Sequence, residues 1–189
     1  MYDAETDPYC YRDSDVLKNK AGLTDPAALE EYETAMTFAR SLEPLPRGRF
    51  SVTHYCAVHR HLFQDVYSWA GRFRRVRIAK GSSAFCYPEH IAREMRRLFL
   101  WLAQYQKFRN TSPAGFAAKA AHFLAELNAI HPFREGNGRT QLTFLSMLAD
   151  HAGHPLDLDK LDTNAALDAM IQSFSGDEKP LGTLIALIE

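Results

Sequence analysis

Cysteine is scarce in this chain of 189 residues, and the three present, Cys10, Cys56 and Cys86, show no paired spacing. Such a set argues against a disulfide framework and for a reduced, cytoplasmic protein whose thiols serve as small apolar side chains. An excess of one charge is also missing: 22 basic residues face 23 acidic ones, a net charge of −1. That balance gives no case for nucleic acid or an anionic membrane as a partner. No apolar run approaches the ~18 residues of a membrane span. The opening Met1-Tyr2-Asp3-Ala4-Glu5 is acidic and lacks an apolar core, so no classical signal peptide is expected. Repeats, linkers and low-complexity segments are absent, and a single domain over 1–189 is the expectation. HExxH, the Walker A lysine motif and Ser or Cys nucleophile motifs are absent too.

What is there is helical periodicity, punctuated by caps and prolines. Ser14 or Asp15 can cap a short helix over 16–20. Thr24-Asp25-Pro26 is a stronger start, a capping hydroxyl before a proline whose missing N–H costs nothing there. The helix behind it runs to about Glu43 with Leu29, Tyr32, Met36, Ala39 and Leu42 on one face, until Pro44 and Pro46 stop it. Ser51 or Thr53 caps the next, whose apolar side is Tyr55, Val58, His59, Leu62 and Phe63, and a short helical piece follows over 66–70. Pro88 opens a long helix to about Phe108 with Ile91, Met95, Leu98, Leu102 and Tyr105 inward. Ser112-Pro113 starts a helix to Ile130 that buries Phe116, Ala120, Phe123, Leu124 and Leu127. Leu142, Leu145, Met147 and Leu148 line a helix from Gly138 to about Ala152, and helices over 158–174 and 180–188 complete the set.

One segment breaks the period. Over 72–79, Val76 and Ile78 alternate with Arg75 and Arg77, Lys80-Gly81-Ser82-Ser83 is turn chemistry, and Ala84-Phe85-Cys86-Tyr87 can return as a strand. A lone two-stranded hairpin is marginal in water, so it must lean on the helices or on a partner. The fold class is therefore all-α, about seven or eight helices with one β-hairpin at about 74–87. Its parts are N-terminal helices 14–70, the hairpin region 72–87, core helices 88–153 and C-terminal helices 157–189. The basic run Arg72, Arg74, Arg75, Arg77, Lys80 reads as a binding surface or, more simply, as the hairpin's solvated face. His54, His59 and His61 with Cys56 lie on one helix without a second ligand cluster, a weak zinc signal. His151 and His154 read as capping or surface residues.

The stretch 127–140 carries the chemistry. Pro132 forbids the preceding helix from continuing, which leaves His131 at a helix C-terminus facing a loop. Unperturbed histidine changes charge near neutrality, which makes His131 a candidate general base. Gly136 and Gly138 let the backbone turn closely, and the helix that follows offers unpaired N–H groups to an anion. Arg139 in its first turn suits phosphate, and Glu135 is a hard oxygen ligand for Mg²⁺. Base, metal ligand and phosphate cradle together spell phosphoryl or nucleotidyl transfer. The plain alternative is a polar helix–helix loop with a capping histidine.

His131-Pro132-Phe133-Arg134-Glu135-Gly136-Asn137-Gly138-Arg139 matches the signature HxFx(D/E)GN(G/K)R of Fic domains. Asp7-Pro8-Tyr9, the segment 15–20 and Asp65-Val66-Tyr67-Ser68-Trp69-Ala70-Gly71 also resemble standalone bacterial Fic proteins. The resemblance implies the Fic fold and a protein adenylyltransferase. His131 would deprotonate a target hydroxyl that attacks the α-phosphate of ATP, and Glu135 would hold Mg²⁺ (or Mn²⁺). Asn137 with the Gly136 and Gly138 backbone would form the anion hole, and Arg139 would hold the outer phosphates. Pro132 and Phe133 would be structural. The hairpin would be the family's flap, docking the target as an added strand along Arg75, Val76, Arg77, Ile78, Ala84 and Phe85. Gly138 separates the chain from Doc-type kinases, which carry lysine there.

Two departures shape the expectation. Many Fic proteins place a second arginine three residues after the first, where this chain has Leu142 on the apolar face of its helix. The inhibitory motif (S/T)xxxE(G/N) is missing, since no glutamate has Ser or Thr four positions before it. The resemblance therefore suggests a toxin whose separate antitoxin supplies an inhibitory helix, with targets such as gyrase or topoisomerase IV subunits. Transfer of UMP or GMP, a non-catalytic binding module, and a fragment of a longer secreted effector are the alternatives.

Overall fold

A computed structural model describes residues 7–80 and 83–189. The described residues form seven α-helices: α1 (Pro26–Ser41), α2 (Val52–Phe63), α3 (Pro88–Gln104), α4 (Pro113–Ile130), α5 (Asn137–Ala152), α6 (Thr163–Phe174) and α7 (Lys179–Ile188). One antiparallel pair, β1 (Ala79–Lys80) with β2 (Ser83–Ala84), completes the set. The architecture is all-α, as the periodicity predicts. The turn residues Gly81 and Ser82, and the N-terminal residues 1–6, lie outside the described residues.

Helix α4 is the centre. Ser112 caps it by accepting from the Gly115 N–H at 3.2 Å, and Phe116, Ala120, Phe123, Leu124 and Leu127 are buried, as their spacing predicts. Ala117, Ala121, Ala125 and Ile130 are buried as well, so the helix is covered on most of its circumference by α3, α5, α6 and α7. Against α7 the approach is close because small residues meet: a Cβ on Gly182 would lie 3.8 Å from Ala121. Phe144 of α5 sits edge-on to Tyr55 of α2 at 5.1 Å and within 5.7 Å of Phe99 of α3. Each such ring removed from water contributes about 1.5–3 kcal/mol.

Several boundaries differ from those the sequence suggests. No helix forms at 16–20; a bridge joins Cys10 to Leu17, and Ser14 accepts from the Val16 N–H instead of capping a helix. The 66–70 segment is a series of turns, not a helix. The Asp25 carboxylate, not the Thr24 hydroxyl, caps α1. The buried face of α1 is Leu29, Glu33 and Thr37, while Ala39 and Leu42 face solvent. Helix α3 stops at Gln104 because Gln106, Lys107 and Phe108 adopt left-handed φ of 50°, 54° and 65°. That turn buries Phe108 in place of Tyr105, which is exposed. Asp162 caps α6 and divides the 158–174 segment in two. His154 is buried, its Nδ1 2.7 Å from Glu189 and its ring stacked on Phe116.

The hairpin is shorter than expected, with two residues in each strand and one further bond, Phe85 N–H to the Ile78 carbonyl at 3.3 Å. The ends of its segment pair elsewhere. Arg74 N–H donates to the Pro132 carbonyl at 2.9 Å, and Cys86 N–H donates to the Ala129 carbonyl at 3.0 Å. The Arg74 side chain does most of the holding. It is 2% exposed, and its guanidinium donates to the carbonyls of Val76, Cys86, His131 and Ile130 at 2.7, 2.6, 2.8 and 3.3 Å. Arg72, Arg75 and Arg77 face solvent, so the arginines of the basic run form a solvated face with one member, Arg74, turned inward; the Lys80 side chain lies outside what is described.

The α2 histidines meet backbone groups. His54 meets the Pro46 carbonyl, and His61 meets that of Arg40. His59 is fully buried; its Nδ1 accepts from the Gly71 N–H at 2.8 Å, so its Nε2–H donates to the Glu135 carbonyl at 3.0 Å.

Two measurements test this frame. Burial holds His59 neutral and pulls its pKa from 6.5 to about 4. The unfolded chain then binds a proton that the native one refuses, so stability is full above about pH 6.5 and declines as pH falls toward about 4, by roughly 3 kcal/mol. Urea midpoints should show the decline in the wild type, and the gap to His59→Gln should narrow over the same window. Arg74→Met leaves several carbonyls without a donor and should cost about 3 kcal/mol. Hydrogen exchange should quicken first at the Cys86 N–H and at residue 74.

Candidate active site

Helix α4 ends on His131, which takes a left-handed φ of 48° while its N–H closes the last turn onto Leu127 at 2.9 Å. A non-glycine residue in that region is uncommon, and here the next residue is a proline that cannot extend the helix. The imidazole lies under the hairpin, stacked on Phe85 with centroids 3.9 Å apart and planes 19° apart. Phe85 in turn meets Phe174 of α6 edge-on at 5.8 Å. The hairpin thus roofs the histidine.

The loop from Pro132 to Gly136 is packed from below. Phe133 is fully buried, stacked on Tyr55 at 5.5 Å with its centroid 3.8 Å from that of His59. Asn137 closes the loop on itself: its Oδ1 accepts from the Phe133 N–H and its Nδ2 donates to the Phe133 carbonyl, both at 2.9 Å. The amide assigned by resemblance to the anion hole is therefore committed to the loop, and what Asn137 offers an anion is its main-chain N–H. Arg134 ties the loop to the N-terminal segment, its Nε 2.7 Å from Asp7.

Gly136 is the N-cap of α5, with φ of 79°. A Cβ there would lie 2.3 Å from the Phe63 ring, so only glycine lets α5 start this close to α2. Gly138 differs, because a Cβ there would meet nothing within 4 Å. Its smallness is not required by packing, and it leaves the rim of the helix N-terminus clear. The first-turn N–H groups of α5 lack intrahelical partners and carry the positive end of the helix dipole. A carboxylate already lies there: Glu135 Oε1 accepts from the Gly136 N–H at 2.7 Å.

Arg139 points from the first turn of α5 to α1. Its guanidinium pairs with Glu33, donates to Thr37 Oγ1 at 3.3 Å and lies 4.7 Å above the Phe63 ring. Glu135 stands 3.8 Å from it. The two carboxylates offset the cost of a cation at a helix N-terminus, so the position of Arg139 alone does not demand an exogenous anion. Leu142, one turn further on, is 36% exposed and does not share the buried face of Gln141, Phe144, Leu145 and Leu148. A cleft of about 510 Å³, lined in part by Asp15, Glu33, Tyr67 and Glu135, opens beside this end of α5.

The hairpin residues sort by position. Arg75 and Arg77 are exposed, with the Arg77 guanidinium 4.2 Å above the Tyr87 ring. Val76 and Ile78 are half-buried and precede β1, Ala84 ends β2, and Phe85 stacks on His131. Sequence reading missed Arg74, His59, Glu33 and Thr37 as builders of the site. Glu33 and Thr37 had a readable signal, since they lie four residues apart on the face that begins with Leu29.

The arrangement sets an imidazole at one helix end and the N-terminus of the next helix across a single loop, with a carboxylate between them. The sequence model of the Fic/DOC family matches residues 49–149. A probable protein adenylyltransferase, y4lH of Sinorhizobium fredii, is 53% identical over 185 residues, 97% of this chain and 96% of its own length. Protein adenylyltransferase VbhT of Bartonella schoenbuchensis is 37% identical over 188 residues, 97% of this chain and 39% of VbhT. Among solved structures, the VirB-translocated effector BepC of Bartonella tribocorum, with bound AMPPNP, has a TM-score of 0.86 at 27% identity over 95% of each chain. The N-terminal Fic domain of a Bartonella quintana effector with bound ADP has a TM-score of 0.87 at 30% identity, over 95% of this chain and 93% of that one. The chain belongs to the Fic/DOC family, as a Fic-type protein adenylyltransferase.

Proposed function

We propose that the chain transfers AMP from ATP to a hydroxyl side chain of a target protein, with His131 as general base. One observation carries this: the 132–136 loop joins an imidazole at the end of α4 directly to the open N-terminus of α5. The target hydroxyl would give its proton to His131 while its oxygen bonds the α-phosphorus. The bond from that phosphorus to the bridging oxygen breaks, and pyrophosphate leaves. Main-chain N–H groups at Asn137 and Gly138 would receive charge developing on the α-phosphate, joined by that of Gly136 once the Glu135 carboxylate that now accepts from it turns to the metal, and Arg139 would meet the outer phosphates. Phe85 would fix the imidazole plane and keep water from it. The segment from Arg75 to Ile78 would align the target.

Glu135 fits a metal that is shared with substrate. Its carboxylate is half-exposed at the helix N-terminus, and no group of three or more His, Cys, Asp or Glu suited to a metal occurs among the described residues. One carboxylate plus substrate phosphates is the habit of Mg²⁺, and Mn²⁺ would serve similarly. When bound, the ion would neutralise charge on the α- and β-phosphates. No helix among the described residues is long and apolar enough to cross a membrane. Action in a cytoplasm, on gyrase or topoisomerase IV subunits, with a separate antitoxin chain supplying inhibition, is the biological setting we propose. A second reading, transfer of UMP or GMP, draws on Leu142, which puts an exposed apolar group where an outer-phosphate cation is expected.

The test is mass spectrometry of a bacterial lysate incubated with the purified chain, Mg²⁺ and ATP, beside a His131→Ala control. An AMP adduct on a hydroxyl side chain is expected, formed by the chain as purified because it lacks the inhibitory motif. His131→Ala should lower the yield at least 10²–10⁴-fold. Adducts that persist in the control would remove His131 as base. A preference for UTP or GTP in a competition panel would replace the AMP assignment. Unlabelled gyrase and topoisomerase IV would withdraw those targets.

A further inference from the structure

Glu33 sits in the middle of α1, far in sequence from the motif, with its side chain 11% exposed. Both of its oxygens are engaged: Oε2 accepts from the Tyr67 hydroxyl and Oε1 from Arg139 Nη2. One turn on, the Thr37 hydroxyl donates to the Glu33 carbonyl at 2.8 Å and accepts from Arg139 Nη1 at 3.3 Å. The Phe63 ring lies under the guanidinium at 4.7 Å. Arg139 is thus held by side chains of α1 and α2, and its carboxylate partner is locked by Tyr67.

We infer that Glu33 is a positioning residue for nucleotide binding, acting through Arg139; the inference rests on the reading of Arg139 as an outer-phosphate ligand. A guanidinium has five N–H donors, and Glu33 and Thr37 engage two of its nitrogens. The Arg139 side chain is 40% exposed while that of Glu33 is 11% exposed, so the pair presents the cation outward and keeps the carboxylate behind it. A free arginine samples many rotamers, and α1 removes that freedom before any phosphate arrives. An opposing role, with Glu33 competing against phosphate for Arg139, would need a carboxylate free to withdraw. Here the second oxygen is bonded to a tyrosine and the residue lies within a helix. Since Leu142 supplies no second cation, the aim of this single arginine decides how the outer phosphates are met.

The test measures ATP and AMP binding by calorimetry, with Mg²⁺ present, in the full chain carrying His131→Ala so that no turnover intervenes. Glu33→Gln should weaken ATP binding about tenfold, the scale of one charge-assisted hydrogen bond, and leave AMP binding unchanged because AMP lacks the outer phosphates. Glu33→Asp should recover part of the loss. In an Arg139→Ala background, Glu33→Gln should add nothing further. Equal losses for ATP and AMP, or a loss that persists without Arg139, would show a role in the fold alone. Tighter ATP binding in Glu33→Gln would show a competing carboxylate; either result overturns the inference. If Arg139→Ala by itself leaves ATP binding unchanged, the phosphate-ligand reading fails instead, and the positioning role falls with it.

Discussion

Four backbone carbonyls converge on one buried guanidinium, and the active-site region depends on that convergence. The last carbonyls of a helix have no partner within it. At the end of α4 those of Ile130 and His131 are taken by Arg74, a residue of another segment, where a glycine-based cap would usually answer them locally. The same guanidinium takes the carbonyls of Val76 and Cys86, so the terminator of the central helix is also the root of the hairpin. His131 and the aromatic ring that covers it are thereby fixed to a common point. A polar connection of this kind is directional where an apolar contact would slide, which suits the role proposed for the His131 imidazole.

The site is nevertheless founded on the apolar core. Phe133 enters the ring cluster of Tyr55, Phe144 and Phe99, and His59 sits against it as a neutral, hydrogen-bonded ring that supports the Glu135 backbone. Phe63 serves twice, as the wall that Gly136 abuts and as the plane beneath Arg139. Helix α2 contributes no residue to the motif, yet it sets the height of α5 and the lie of its first-turn arginine.

What the sequence made legible were features with a local cause. Ser51 and Ser112 cap the helices expected of them, α4 and α5 fall close to their predicted limits, and the motif loop lies between them. Illegible features had distant causes. Nothing in a run of five basic residues tells which one turns inward, because two of the four acceptors of Arg74 are helix-end carbonyls more than 50 positions away. Glu33 and Thr37 break the apolar pattern of α1, yet i,i+4 polar residues in line with Leu29 mark an inward face that meets a polar partner. The left-handed run at 106–108 has no glycine to announce it; burial of Phe108 settles it. The bridge at Cys10 and Leu17 is likewise set by pairing across a turn that mimics helix-start chemistry.

Three arginines join distant parts of the chain to the motif: Arg74 reaches His131 across 57 positions, Arg139 reaches Glu33 across 106, and Arg134 reaches Asp7 across 127. Helices α3, α4 and α5 follow one another with short connections, so their contacts can form early at small cost in loop-closure entropy. Two of the arginine ties, from Arg139 and Arg134, close loops of 106 and 127 positions and can form only once both ends are in place. These ties then form after the helices have packed and loosen before them. A population losing stability would pass through states that keep their helices and have already lost nucleotide transfer.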